Sequence, residues 1–476
     1  MHSELTGLRV AMLVNNPCVY DSRVIRSAET LAALGYSVTV VCRGDEGLAD
    51  NELKNGVRYL RVCKKSFSMG YFFYVLRQAI SGELLAIGLP ARFAILTLWG
   101  CMHRVVGLTI RATTGLIWQR AVGQSRKAFF RACKLKGATS RHRIKNLVID
   151  AARGAYYSLE TAEVQFVMKQ AINSIAPDII HAHDLGTLSA GVASARRHVS
   201  KLIYDSHELE MHRHMPFTRR QAKRRRVEEA SGIAFADSVL TVSESIAAHL
   251  VSDYGIRPPT VIFNAPKKLP HPPPSLSATL RQHVGHTASD PLGVYVGWVA
   301  ADRGLENMLH AMVAWPELNF ATVGPQNPTF AERFLGLAKE LGVRDRLCCL
   351  DPVPARELMV YISSADFSVL PIQNVCLSYY YCMPNKLFES VLAGLPVAVS
   401  NLKDMKEFVD YWQCGLVFDE NDPVDTTTTL KNLYAQRDAY RLHGGRLEKF
   451  ARLCSWEAQE KKLERVYRKL AAAQAQ

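Results

Sequence analysis

Apolar residues along the chain fall into two alternating textures. Leu8 to Asn15 (LRVAMLVN), Ser37 to Cys42 (SVTVVC) and Val57 to Val62 are short continuous runs of the kind that form buried parallel strands. Between the first two, Asp21 to Leu34 has helical spacing closed by Gly35, which predicts a βαβ opening. From Ala151 the alternation resumes: helix to Ile175, strand Asp178 to Ala182, helix Leu185 to Arg197, strand Lys201 to Asp205, a helix begun by RRQAKRRRVEE, strand Ser238 to Val242, helix Ser243 to Ser252 and strand Thr260 to Phe263. KKLPHPPPSLS follows, an extended proline-rich connection that reads as a hinge. Beyond it the same pattern restarts at Leu292 to Trp298 and runs through strands Leu318 to Val323, Arg346 to Leu350, Phe367 to Leu370, Leu395 to Ser400 and Gly415 to Phe418. The predicted fold is two doubly wound, Rossmann-like α/β domains of similar size, 1–264 and 291–454, joined by a linker at 265–290. A ligand cleft is expected between the carboxyl ends of their sheets.

One stretch breaks the pattern. Tyr71 to Phe130 is rich in large apolar residues with single arginines at 77, 92, 104, 111 and 120, and its uncharged runs are shorter than the roughly 20 residues a membrane span requires. Charge sharpens the picture: from Lys64 to Lys145 there are fifteen Lys/Arg against one acid, Glu83, so this segment carries the whole net charge of +14. An insertion at about 64–150 that lies on an anionic membrane surface fits this pattern. The other reading is a helical insertion packed on its own domain with snorkelling arginines. Nucleic acid is not an expected partner, because no binding module or aromatic ladder is present. Eleven Cys at irregular positions form neither a disulfide framework nor a metal spacing, and the N-terminus lacks the form of a signal peptide. The expectation is a reducing cytoplasmic location, peripheral on the inner face of the membrane.

Candidate chemistry gathers at predicted strand ends. After the first strand come Asn15, Asn16, Asp21 and Arg23, with no G-x-G-x-x-G, and Asp21 also suits a helix cap. His181-Ala182-His183-Asp184 and Tyr204-Asp205-Ser206-His207-Glu208 end two neighbouring strands. Without a matching cysteine pair or a helical His pair they read as sugar-hydroxyl contacts rather than metal ligands. Gly297 to Gly304 (GWVAADRG) brings Arg303 to a helix N-terminus, a favourable place for a diphosphate. In SYYYCMPNKLFESVLAGLPVAVS, Pro384 to Ala393 reads as a helix whose apolar face is Leu387, Phe388, Val391 and Leu392, while Asn385, Lys386 and Glu389 share the polar side. That polar side suits a nucleotide-sugar pocket, the carboxylate accepting from a diol. It equally suits a capped surface helix with a Lys–Glu pair.

DSRV–AETLAALGYSVTVV, DIIHAHD, YDSHE, SVLTVSESIAAHL, VIFNAP, YVGWVAADRGLENML, ADFSVLPI, NKLFESVLAGLPVAVS and SWEAQEKKLERVYRKL, in this order and spacing, resemble the GT-B fold glycosyltransferases of family 4, retaining enzymes that use nucleotide sugars. The likeness to bacterial enzymes of surface-polysaccharide or lipid-linked glycan synthesis is closest in YDSHE and PNKLFE. The resemblance covers most of the chain outside 64–150. It implies that Glu389 is the second Glu of the family's E-x7-E motif, which holds the nucleotide ribose, and that Tyr381 stands in place of the first. Gly297 and Gly304 match the diphosphate grip, with Arg303 in place of Lys and Trp298 in place of Arg, which leaves Lys386 to supply the missing cation. His183, Asp184, Asp205, His207 and Glu208 become candidates for acceptor and reaction-centre contacts. The segment 455–476 resembles the helix that crosses back to the first domain. The implied reaction is sugar transfer with retention from a nucleotide diphosphate sugar to a hydroxyl of a glycan or lipid-linked acceptor, with no metal and no cofactor. The alternatives are a non-catalytic membrane-associated scaffold of the same fold, or another nucleotide-sugar enzyme such as an epimerase.

Overall fold

Strand β1 (Arg9–Val14) alternates its side chains between two cores, Val10, Met12 and Val14 on one face and Ala11 and Leu13 on the other, which is why its sequence is apolar throughout. The computed structural model describes residues 7–45, 47–62, 164–214, 219–269, 276–285 and 290–474. The first sheet adds β2 (Ser37–Arg43), β3 (Asn51–Lys54), β4 (Val57–Val62), β5 (Ile179–His183), β6 (Lys201–Ser206), β7 (Ser238–Thr241) and β8 (Thr260–Val261) in the order β3-β4-β2-β1-β5-β6-β7-β8. All its pairings are parallel except β3 with β4. The second sheet is wholly parallel, with the order β11-β10-β9-β12-β13-β14. Its strands are β9 (Leu292–Val296), β10 (Asn319–Val323), β11 (Leu347–Leu350), β12 (Phe367–Leu370), β13 (Val397–Ser400) and β14 (Gly415–Phe418). Both lobes are thus doubly wound, with strand order reversing beside β1 in one and β9 in the other, where ligand crevices open.

The antiparallel edge strand β3 is absent from the sequence reading. It turns into β4 through Asn55 and Gly56, both at positive φ, the backbone that a tight hairpin turn requires. The predicted linker also differs in part, because Leu280–Val284 is a helix with a capping box between Thr279 and Gln282. Leu280 is buried with Leu292 and Val294, so this end of the linker belongs to the second lobe's core. The proposed membrane-contacting insertion lies outside the described residues. No described helix is long and apolar enough to cross a membrane. The described cysteines are free thiols.

Two strands of chain cross side by side between the lobes. The Trp456 amide donates to the Pro266 carbonyl at 2.8 Å where they meet, and helix Trp456–Gln474 then runs into the first lobe. Trp456, Leu463 and Tyr467 are fully buried among β1 and β2 side chains, each worth on the order of 1.5–3 kcal/mol or more of apolar burial. Polar contacts set the lobes against each other at the cleft. Ser243 Oγ donates to the Tyr381 carbonyl (2.9 Å), the Leu209 amide to Ser378 Oγ (3.2 Å) and Asn385 Nδ2 to Ser22 Oγ (3.1 Å).

Candidate active site

Helix Asn385–Leu392 forms for the reason its pattern gives. Leu387, Phe388, Val391 and Leu392 are buried against β12 and β13, Pro384 sits just before the first turn, and Gly394 follows at positive φ. The remaining face looks into a cavity of about 420 Å³ lined by both lobes. Asn385, Lys386 and Glu389 line it from this helix, Gly297, Trp298 and Arg303 from the β9 turn, and His207, Glu208 and Asn264 from the first lobe.

Glu389 is half-buried, and burial raises its carboxyl above the usual range while Arg26 and Lys386 pull it back down. Arg26 comes from the first-lobe helix Ser22–Ala33. Its guanidinium donates to Ser22 Oγ (3.1 Å) and to Asn264 Oδ1 and lies 5.5 Å from the Trp456 ring. Its Nε is buried without a partner, and burial lowers its pKa to about 10. The carboxylate is therefore accompanied by cations without an ion pair shorter than 4.0 Å among the described residues.

Lys386 Nζ donates to Tyr295 Oη (3.0 Å) and stands 4.5 Å from that ring, and Tyr295 Oη in turn donates to the Trp298 carbonyl (2.9 Å). Arg303 lies over Tyr379 at 5.2 Å. Neither cation has a salt bridge among the described residues, so two positive charges face the cavity with open hydrogen-bonding capacity. Glycine is required around them. At Gly297 the reason is the backbone, at φ 128°, since an added Cβ would meet only the movable end of Lys386; at Gly304 an added Cβ would collide with the Pro371 carbonyl. Gly304, at φ 65°, is the N-cap of helix Leu305–Ala314 and is buried; it shapes the turn without lining the cavity.

The first-lobe residues separate into two sets. His207 and Glu208 line the cavity. His183 and Asp205 are 1% exposed and do not. Asp205 accepts from Arg23 Nε and Nη2, both at 2.8 Å, while Arg23 Nη1 donates to the Ile262 carbonyl at 2.6 Å. Asp205 is thus an internal partner holding β6, the Ser22–Ala33 helix and the β8 end together, and burial cannot lift its carboxyl because Arg23 and His207 hold it well below the usual range. His183 Nδ1 is 3.1 Å from His207 Nε2, and His181 Nδ1 is 2.9 Å from Tyr467 Oη. His181, His183 and Asp205 are close enough to share an ion, but both Asp205 oxygens already accept from a guanidinium, which opposes a cation there.

Asp184 lies at the N-terminus of helix Leu185–His198 with φ 60°, and its carboxylate is 3.5 Å from His207 Nδ1 and 3.3 Å from the His207 amide. It positions His207 rather than facing the cavity. Burial opposes charge on His207, but Asp184 and Asp205 override it and raise its pKa to about 9. The group presented to the cavity at neutral pH is therefore an imidazolium.

Tyr381 is also set apart. It lies at the lobe junction, 6.3 Å from the His249 ring and 5.7 Å from Lys403 Nζ, and it does not line the cavity. Asp21 is a helix cap, accepting from the Val24 amide at 3.3 Å and from Asn16 Nδ2 at 2.8 Å. Sequence reasoning missed Arg26, Ser22 and Asn264, which reach the second lobe's helix only after folding. The Asn-Ala-Pro turn was the one local signal, since it ends a strand at the cleft.

Residues 131–265 match the model described as Glycosyltransferase Family 4, and residues 290–436 the model described as Glycosyl transferases group 1. A D-inositol 3-phosphate glycosyltransferase of Corynebacterium efficiens is 25% identical over 266 residues, which span 53% of this chain and 61% of that relative. Among solved structures, sucrose-phosphate synthase from Thermosynechococcus elongatus superposes with a TM-score of 0.67 at 17% identity, covering 98% of this chain and 100% of the other. Anabaena HepE in complex with UDP gives 0.59 at 12% identity, with 98% and 100% covered. Two parallel-sheet lobes facing across a cavity, with one glycosyltransferase model matching each, identify the chain as a member of the GT-B glycosyltransferases of family 4.

Proposed function

We propose that the protein transfers a sugar from a nucleoside diphosphate sugar to a hydroxyl of a glycan or lipid-linked acceptor, with retention. The observation that carries this reading is the interlobe cavity, which the Glu389 carboxylate lines together with Lys386 and Arg303, two cations without carboxylate partners among the described residues. In this reading a ribose diol donates to Glu389, and the diphosphate lies against Lys386 and Arg303. These charges stabilise the leaving group as the glycosidic bond breaks. No metal step is part of the proposal. His207, held protonated by Asp184 and Asp205, and Glu208 face the sugar end, where hydroxyl recognition and charge stabilisation are needed. HepE crystallises with UDP, which supports a uridine nucleotide as the first donor to try. Cell-surface glycan synthesis at the inner membrane face follows from the sequence resemblance and from the one-signed charge of the 64–150 insertion.

Incubation with a panel of UDP-, GDP- and CMP-sugars and a membrane lipid extract tests the reading. Sugar transfer to a lipid-extractable product is expected. Binding without turnover would favour a scaffold, and an isomerised donor an epimerase. Glu389→Ala is expected to weaken nucleotide binding in calorimetry at least tenfold, and unchanged affinity would refute the pocket assignment. Co-sedimentation with anionic liposomes that weakens with salt is expected of the full chain, and binding that ignores salt would refute the electrostatic docking.

A further inference from the structure

Away from the cavity, three side chains are built like a ligand set. His249 and Asp253 are four residues apart on helix Glu244–Tyr254 and so share one face. His212 closes the short 3-10 turn Glu210–His212 that follows β6. The Nε2 atoms of His212 and His249 lie 4.0 and 3.6 Å from the same oxygen, Asp253 Oδ2. The two rings meet edge to face with centroids 4.8 Å apart. Both Nε2 atoms are closed off from solvent, and neither has a hydrogen-bond partner. Two orphaned ring nitrogens aimed at one carboxylate oxygen are an unfavourable arrangement for the protein alone, because a buried polar atom without a partner is destabilising.

We propose that His212, His249 and Asp253 bind a divalent transition metal, with Zn²⁺ the best fit and water completing a four-coordinate shell. Neutral imidazole nitrogens and one carboxylate are a borderline-soft donor set that suits Zn²⁺ over Mg²⁺ or Ca²⁺. Donor atoms around a tetrahedral Zn²⁺ are about 3.3 Å apart, given bonds near 2.0–2.1 Å. The observed separations of 4.0 Å from His212 and 3.6 Å from His249 to Asp253 Oδ2 need to close by about 0.7 and 0.3 Å, within the freedom of half-buried side chains. Charge–charge pairing is the poorer account, since two imidazolium rings and Arg226 would then crowd one carboxylate. Arg226 Nη2 donates to Asp253 Oδ2 at 3.5 Å, a long contact, and unlike the buried Arg23 its side chain is 56% exposed and can swing into solvent as the metal enters.

The metal would be a fastener rather than a reactant. The turn bearing His212 follows directly from His207 and Glu208, which line the cavity, and Leu209 between them is tied to Ser378 of the second lobe. Joining this turn to helix Glu244–Tyr254, which contributes Ile246 to the cavity wall, would stiffen the first-lobe side of the cleft.

The test uses the full chain, stripped with chelator and titrated with Zn²⁺ in calorimetry and with Co²⁺ as a spectroscopic probe. The expected result is a site whose Co²⁺ complex shows the intense visible bands of tetrahedral coordination, together with a Zn²⁺-dependent rise in melting temperature. His249→Ala and Asp253→Asn should each weaken binding at least tenfold and abolish the melting shift, and His212→Ala does the same independently should either variant fail to fold. His310→Ala, an exposed histidine on another helix, should leave both unchanged. Arg226→Ala should tighten binding. Zn²⁺ affinity that is the same in the wild type and in His249→Ala and His212→Ala, or a weak octahedral Co²⁺ spectrum, overturns the proposal.

Discussion

Two charged clusters on either side of the cleft are made of similar residues and do opposite things. In the first lobe, Arg23 and Asp205 are almost fully buried and satisfy each other with two hydrogen bonds of 2.8 Å, and the Ile262 carbonyl takes a third. In the second, Lys386, Arg303 and Glu389 face open volume with no salt bridge of 4.0 Å or less among the described residues. A charge whose hydrogen bonds are all made inside the fold serves stability, and one held near others with capacity left over is available to a ligand. Carboxylates at strand ends cannot be sorted into these classes by position. Asp205 and Glu208 are three residues apart and fall on opposite sides of the distinction.

The comparison can be broken in order of effect. Arg23→Met strips buried Asp205 of both guanidinium hydrogen bonds, leaving only the histidines at 3.4–3.5 Å, and should destabilise the fold by about 3–5 kcal/mol in denaturant melts. A loss below about 1 kcal/mol would place the pair outside the structural class. Glu389→Gln should do the reverse: ligand-free melts stay level or rise, since a desolvated carboxylate is removed, while nucleotide affinity falls by about 1.5–3 kcal/mol in calorimetry. Lys386→Met should weaken nucleoside diphosphate binding more than nucleoside binding and flatten its salt dependence, since the lost contact is a point charge on phosphate.

A further test is pH. The folded-state pKa of His207 is raised to about 9 from 6.5, so its contribution to stability is fully present below pH 6.5 and is lost as pH rises through about 9. Melting temperature should decline across that window, and His207→Gln should remove that part of the decline. His183 works in the other direction. Burial and His181 lower it to about 3, so its contribution is present above pH 6.5 and lost on acidification towards 3.

Much of the architecture was readable before folding. The strand runs, the Asp21 and Ser243 caps and the Pro384-to-Gly394 helix signals all lie within one or two turns of chain, and the structure places them where those local rules put them. The Asn55-Gly56 hairpin was equally readable, since Asn-Gly between two short strands is a strong turn signal, but the polar NELK strand carries no apolar run to draw attention. Site membership was less legible. Asp205, His183 and Tyr381 share the look of cavity residues because they sit at strand and helix ends, yet each points into packing. Arg26, the first-lobe cation with the largest effect on Glu389, carries no local sequence signal that sets it apart from any other helix arginine.

The chain by itself determined two βα-alternating lobes, their order of elements and which helix faces are apolar, because periodicity and capping depend on neighbours a few residues away. Only the tertiary structure decided which charges are spent. Whether a carboxylate is neutralised or left available depends on groups 182 residues away, as for Arg23 with Asp205, or on the other lobe, as for Arg26 with Glu389. Burial and hydrogen-bond satisfaction are properties of the assembled fold, and no local pattern encodes them.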